Sequence, residues 1–267
     1  MPLTATHSAL SDVGRRRSHN EDRYCTDPTL GLFVVCDGMG GSNAGEIASA
    51  LAVETIHRHI NAASQNAALP LIGPGDPALS PSGNRLASAI REANRAIYHD
   101  ATRRPEWAGM GTTVVAVLLT DRGMSFAHVG DSRLYLVHGH TIRQLTADHS
   151  WVAEQVRSGL MTEAEAERSP QRNMVTRALG IAPTVDVATG DAELHPGDLL
   201  LLCSDGLTKG VTANTLLTVL TQTDDVTAAT RQLITLANRA GGEDNITVIT
   251  LALHDAMEHP VRYPVAM

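Results

Sequence analysis

Aromatic side chains are scarce in this 267-residue chain, at 3% of positions. Recognition of a base by stacking needs such rings, and no stretch of the sequence offers a pocket of them. Basic charge is not in excess either: 21 Lys and Arg stand against 29 Asp and Glu, for a net charge of −8. That balance argues against a surface built to neutralise nucleic-acid phosphates. Cysteines number three, Cys25, Cys36 and Cys203, with no Cys-x-x-Cys and no metal-type Cys/His spacing. Cys36 and Cys203 close apolar runs, where a thiol is a small buried hydrophobe and not a nucleophile. This usage points to a reducing, cytoplasmic compartment. The longest unbroken apolar stretch, Val114 to Leu119, is far short of the roughly 20 residues that span a bilayer. The opening MPLTATHSALSDVGRRR has no apolar stretch after basic residues, so no signal peptide is expected.

What is present is a 43% hydrophobic chain, enough for one large domain or one domain with a small inserted subdomain. Strands are expected at Ser8–Val13 (an edge), Leu32–Cys36, Thr112–Thr120, Met124–Val129, Arg133–Val137, near Ile142–Leu145, Leu199–Cys203 and Ile246–Leu253. Helices are expected where Ile47, Leu51, Ile56 and Ile60 recur, and where Leu86, Ala89, Ile90, Ala93 and Ile97 share a face. Two more are expected around Ala213–Thr221 and Val226–Ala240, the last with Val226, Ala229, Leu233, Leu236 and Ala240 on one face. Residues 67–83 read as a Pro/Gly-rich surface loop. Residues 147–180 are polar and broken, and should pack on the domain without forming its centre. The tail from residue 256 has no pattern. Short turns join antiparallel strands, and helices come in pairs. The fold class is α+β, with helices on the outer faces of antiparallel sheets.

Four aspartates stand at the tips of apolar runs: Asp37 after LFVVC, Asp131 after FAHVG, Asp205 after LLLLCS, and Asp244 just before ITVITLAL. One strand-Asp-Gly is a plain turn. Four carboxylates held at strand tips repel one another in poorly hydrated surroundings. A hard divalent cation bound by oxygen relieves this, with Mg²⁺ or Mn²⁺ the natural candidates. Gly38 and Gly206, each directly after an aspartate, are expected to let the chain turn sharply and to bring a carbonyl near the cation. Arg17 reads either as part of a solvated run with Arg15 and Arg16 or as a fork for phosphate. Thr112 and Thr113 read as strand-entry residues, with the ordering of metal waters a lesser reading, His149 as a surface or hydrogen-bonded side chain more than a proton donor, His128 as structural, and Trp107 and Trp151 as loop anchors.

In chain order the elements are Arg17-x-x-Asn20-Glu21-Asp22, Val35-Cys36-Asp37-Gly38-Met39-Gly40-Gly41, Gly111-Thr112-Thr113, Val129-Gly130-Asp131-Ser132-Arg133, Leu202-Cys203-Ser204-Asp205-Gly206-Leu207 and Asp244-Asn245-Ile246-Thr247. The series resembles the metal-dependent type 2C Ser/Thr protein phosphatases in their bacterial form, from about Ser8 to about Leu253. The resemblance implies an αββα four-layer sandwich, two antiparallel sheets flanked by pairs of helices, in a single domain over residues 1–255. It implies two to three Mn²⁺ or Mg²⁺ ions. Asp37 would bridge two of them, the Gly38 carbonyl would bind one, and Asp205 and Asp244 would hold the other. Glu21 and Asp22 would act through metal-bound water, Asp131 would hold a third ion with Asp205, and Arg17 would bind the substrate phosphate. Residues 147–180 would be a flap subdomain beside the site. Two cations about 3.5–4 Å apart would turn a bridging water into the attacking hydroxide. The implied partners are phosphoserine and phosphothreonine proteins and an opposing Ser/Thr kinase, with the enzyme a monomer. Met39 departs from the eukaryotic pattern, which has a histidine there, so the proton donor to the leaving alcohol is open. Two other readings stay open at this point: a phosphatase-fold module that binds without catalysis, and a two-metal hydrolase of another phosphoester.

Overall fold

The structure, a computed structural model, describes residues 3–40, 44–121, 123–223 and 225–255. The chain runs through β1 (Leu3–Asp12), β2 (Asp22–Asp27), β3 (Leu32–Met39), α1 (Ala44–Gln65), α2 (Pro81–Arg103), a 3₁₀ turn at Pro105–Trp107, β4 (Gly111–Thr112), β5 (Val114–Thr120), β6 (Gly123–Val129), β7 (Arg133–His138) and β8 (Thr141–Gln144). It continues with α3 (Trp151–Arg157), α4 (Glu163–Arg168), β9 (Ala188–Glu193), β10 (Leu199–Cys203), α5 (Asp205–Thr208), α6 (Ala213–Gln222), α7 (Val226–Arg239) and β11 (Ile246–Asp255). One sheet has the order β1-β11-β10-β7-β8 and the other β2-β3-β5-β6-β9, with β4 paired to β3. Every pairing is antiparallel.

Alternation along the inner strands sorts side chains into three apolar layers. On β3, Leu32, Val34 and Cys36 face α1 and α2, while Phe33 and Val35 face the opposite sheet. On β10, Leu200 and Leu202 meet Phe33 and Val35 between the sheets, while Leu201 and Cys203 pack under α6 and α7. Burial on both faces is why these strands read as unbroken apolar runs. The result is the expected αββα sandwich. Truncating a side chain such as Phe33, fully buried, would cost about 3–5 kcal/mol.

Several expectations need correction. β1 begins at Leu3, five residues before the predicted edge strand, and it is an edge as expected. β2 and β9 were not predicted. Both are polar edge strands, DRYCTD and ATGDAE, held by ladder hydrogen bonds more than by apolar pattern. The predicted strand Thr112–Thr120 is two strands, β4 and β5, broken at Thr113. α2 starts at Pro81, inside the predicted 67–83 loop. Ser80 caps it, accepting from the Gly83 N–H at 3.0 Å, and Pro81 fits the first turn, where no N–H partner is needed. The rest of the loop is tied to α2, with Arg85 donating to the Leu69 and Ala67 carbonyls and Arg91 to those of Ile72 and Pro74. On α7 the buried stripe is Ala229, Leu233, Ile234 and Ala237, and Ala240 is exposed beyond the helix end. Gly41 of the glycine-rich turn and the tail from residue 256 lie outside the described residues.

Candidate active site

Antiparallel pairing gathers the strand tips at one end of the sandwich. Asp37 lies near the end of β3 and Asp22 begins β2, and the two are directly paired in the ladder. β6 runs into Gly130 and Asp131. β10 ends at Cys203, paired with Arg133, and Asp205 opens α5 just beyond it. Asp244 stands two residues before β11. A cavity of about 320 Å³ lies here, and its walls include Arg17, Glu21, Asp37, Gly38, Asp131, Asp205 and Asp244. Asp22 is not on that wall. It is buried behind it, where its Oδ2 accepts from Ser204 Oγ at 2.8 Å.

The supports are specific. Thr113 N–H and Thr112 Oγ1 both donate to the Asp37 carbonyl, at 2.8 and 2.9 Å, and the Asp37 N–H donates to Thr113 Oγ1 at 3.1 Å. Thr113 Oγ1 also lies 2.7 Å from Ser132 Oγ, which ties the Asp37 strand to the Asp131 loop. Asn245 joins the ends of the chain: its Oδ1 accepts from the Glu21 N–H at 2.9 Å, and its Nδ2 donates to the carbonyls of Val13 and His19. Gly38 and Gly206 do not serve as sharp turns. Gly38 lies within β3 and Gly206 within α5. Each allows a close approach instead: a Cβ on Gly38 would stand 2.1 Å from the Gly45 carbonyl oxygen, and one on Gly206 2.0 Å from that of Asn245.

The carboxylates are strained electrostatically. Burial, then the charges of Asp22, Asp205 and Asp131, lift the Asp37 pKa well above the usual carboxylate range. Burial lifts Asp22 and Asp131 to about 7, with Asp205 adding to both. Burial raises Asp205 as well, against the pull of Lys209. At Asp244 burial acts upward too, but hydrogen bonds from Lys209 and Arg17 outweigh it and the pKa is lowered.

Lys209 was not anticipated. Its Nζ lies 2.6 Å from Asp205 Oδ2 and 2.9 Å from Asp244 Oδ2. The one signal in sequence is its place four residues after Asp205 on a helical turn. Arg17 is half-exposed and grips Asp244 with Nε and Nη2, at 2.8 and 3.0 Å. These two cations offset only part of the negative charge. Among the described residues, Asp22 Oδ1 and Asp205 Oδ1 have no hydrogen-bond partner. Buried acceptor oxygens without donors, in an all-oxygen set, fit hard divalent cations.

The 147–180 segment carries α3 and α4 and reaches the cavity with Asn173 and Val175. Neither residue has a local sequence signal. Arg172 adds an ion pair to Glu243 at 4.0 Å. His149 Nδ1 accepts from the Gly130 N–H at 3.1 Å and its ring stacks on His128 at 4.7 Å, while His128 Nε2 donates to the Ala147 carbonyl. Both histidines are therefore scaffold, as read from sequence. Trp107 packs at the margin of the α1–α2 core under the Arg104 guanidinium, and the Trp151 N–H ties α3 to the Met174 carbonyl at 2.8 Å.

The sequence profile of the protein phosphatase 2C family matches residues 14–246. The chain belongs to this family. It is similar to the serine/threonine phosphatase stp of Listeria monocytogenes, with 37% identity over 242 residues that cover 90% of this chain and 92% of that one. Among solved structures, the Mycobacterium tuberculosis serine/threonine phosphatase PstP/Ppp superposes with a TM-score of 0.83 at 34% identity, covering 94% of this chain and 99% of the other. The catalytic domain of PstP in complex with two manganese ions gives a TM-score of 0.81 at 34% identity, over 95% of this chain and 100% of that domain. Family membership also accounts for the order of the six motifs along the chain.

Proposed function

We propose that this chain is a metal-dependent phosphatase that hydrolyses phosphoserine and phosphothreonine esters on proteins. The observation that carries the reading is the set of buried carboxylates at one end of the sandwich, lifted in pKa and short of hydrogen-bond donors, with an arginine at the rim. Asp37, the Gly38 carbonyl, Asp205 and Asp244 would hold two Mn²⁺ or Mg²⁺ ions. Glu21 and Asp22 would hold them through water, and Asp131 would hold a third with Asp205. The manganese-bound relative supports this assignment. Such ions supply a water nucleophile at neutral pH and neutralise phosphoryl charge.

The protein's own groups do the rest. Thr112 and Thr113 fix the Asp37 peptide, so the carboxylate meets its ligand without reorganisation. Arg17 binds the substrate phosphate, exchanging its grip on Asp244 for two phosphoryl oxygens. Met39 lines the cavity and offers no proton, so the leaving alcohol takes its proton from water or from another group of the cavity wall. Asn173 and Val175 place the 147–180 flap against the substrate side chain.

Residues 1–255 act as one catalytic domain. A single chain holds the full carboxylate set, which supports a monomer. All three cysteines are free thiols, two of them fully buried, which supports action in the cytoplasm; there the enzyme opposes a Ser/Thr kinase, the reaction that makes its phosphoprotein substrates. No helix among the described residues is long and apolar enough to cross a membrane.

The test is release of inorganic phosphate from a phosphothreonine peptide with Mn²⁺, and then with excess EDTA. Turnover that EDTA stops is expected. No turnover, with Mn²⁺ still bound by calorimetry, would overturn the reading in favour of a binding module.

A further inference from the structure

The opposite end of the sandwich carries a second donor cluster of different chemistry. β7 finishes there at His138. β10 begins there at Leu199, after the turn His195-Pro196-Gly197-Asp198, in which the Asp198 N–H donates to the His195 carbonyl at 3.1 Å and Gly197 adopts φ +91°. The ladder pairs Val137 with Leu199, so the next step of the register sets His138 across from Asp198. The Asp198 side chain is only 3% exposed, and its Oδ2 accepts from the His195 N–H at 2.8 Å. Its Oδ1 lies 2.6 Å from His138 Nδ1, and its Oδ2 3.8 Å from His195 Nδ1. The two imidazoles meet edge to face with centroids 5.5 Å apart and stay largely exposed, at 65% and 61%. One donor atom from each of the three residues falls within 4.8 Å of the others.

We propose that His138, His195 and Asp198 form a binding site for one nitrogen-preferring divalent transition ion, of which Zn²⁺ is the representative. Metal–ligand bonds of about 2.0–2.2 Å set tetrahedral ligands roughly 3.3 Å apart. The present separations bracket that spacing, and rotation of two exposed rings closes the difference. The carboxylate is already oriented by a backbone N–H, the kind of outer support that metal ligands use. Two imidazoles and one carboxylate favour Zn²⁺, Ni²⁺ or Cu²⁺ over Mg²⁺ and Mn²⁺, so the site is chemically distinct from the all-oxygen centre. It is also distinct in position. His138 ends β7 of one sheet, and His195 and Asp198 lie on the turn that leads from β9 of the other sheet into β10. The bound ion fastens this turn to the end of β7, away from catalysis.

The experiment uses the full, untagged chain, since a histidine tag would bind the same ions. The protein is stripped with chelator, saturated with Mg²⁺ to fill the carboxylate centre, and titrated with ZnCl₂ by calorimetry. The expected result is one Zn²⁺ per chain with Kd of about 1 µM or tighter, and a higher melting temperature with Zn²⁺ than without. His138→Ala and His195→Ala should each weaken binding by about 100-fold, at or above the cost of losing an outer-shell partner. His195→Gln serves as the second variant should an alanine disturb the turn. Mn²⁺-dependent phosphatase activity should be unchanged in all three. Absence of Zn²⁺ binding in the Mg²⁺-saturated wild type, or equal Kd in wild type and variants, would overturn the proposal.

Discussion

Replacing Lys209 with methionine removes the ammonium that joins Asp205 to Asp244 and keeps the length of its apolar stem. Lys209 makes two charged hydrogen bonds, at 2.6 and 2.9 Å, to oxygens that the proposed metal site also needs. A charged hydrogen bond contributes about 1.5–3 kcal/mol. If an incoming cation must displace one of them, its apparent affinity is lowered by about 10- to 100-fold. Lys209→Met should therefore bind the first Mn²⁺ about 10- to 100-fold more tightly. The same change leaves two buried carboxylates short of a partner, so the metal-free protein should lose about 1–3 kcal/mol of stability. Calorimetric titration of chelator-stripped protein reads the first effect, and thermal melts with and without Mn²⁺ read the second. The backbone N–H of Lys209 closes α5 whatever the side chain, so the helix is not at stake. An unchanged or weaker Mn²⁺ affinity would refute the reasoning and make Lys209 a positioning group for Asp205.

Asp37→Asn should reduce phosphatase activity to background, yet raise the melting temperature of the metal-free protein, because it deletes one of several like charges in a buried cluster; a fully active variant would remove Asp37 from the site. Arg17→Ala should raise KM for a phosphopeptide by about tenfold or more, the worth of one charged hydrogen bond, with a smaller change in Mn²⁺ affinity; an unchanged KM would move phosphate binding elsewhere. For His149, burial, then His128 and Arg177, lower the pKa from 6.5 to about 4. The unfolded chain therefore takes up the proton first as pH falls. The stabilisation is complete above about pH 6.5 and is lost between 6.5 and 4, by about 1–2 kcal/mol once solvent screening is allowed for. His149→Asn keeps an acceptor for the Gly130 N–H and should flatten this part of the stability–pH profile relative to wild type. Parallel profiles would show that the histidine does not titrate as described.

The buried strands were legible because their two faces meet apolar layers. Leu32–Cys36 and Leu199–Cys203 can only be apolar throughout, and the aspartate that ends each run stands out for that reason. α2 was legible from Leu86, Ala89, Ile90, Ala93 and Ile97, all buried as the period requires. β2 and β9 escaped because each lies at a sheet edge with polar side chains, and ladder hydrogen bonds leave no mark on composition. The start of α2 was recoverable from Ser80-Pro81, a cap and first-turn pair hidden among turn-forming neighbours. At the site, the strand-tip residues were legible and Lys209 was not, since a single helical turn is too short to show a period. Asn173 and Val175 reach the cavity from irregular chain, where placement depends on tertiary contacts such as the Trp151–Met174 and Arg172–Glu243 links.

The seating of the carboxylates on or just past doubly buried strands has an evolutionary consequence. Asp37 lies on β3 and Asp205 opens α5 just beyond β10, so drift in the helices or the facing sheet that moves these strands reaches both carboxylates. The 147–180 segment shares that burden only at its end, where Leu179 is fully buried and pairs with Thr112, while Asn173 and Val175 reach the cavity from irregular chain. On the proposed function, exchange of Asn173 or Val175 should change which phosphoproteins fit the rim, whereas exchange of Leu179 should be felt at the Asp37 centre.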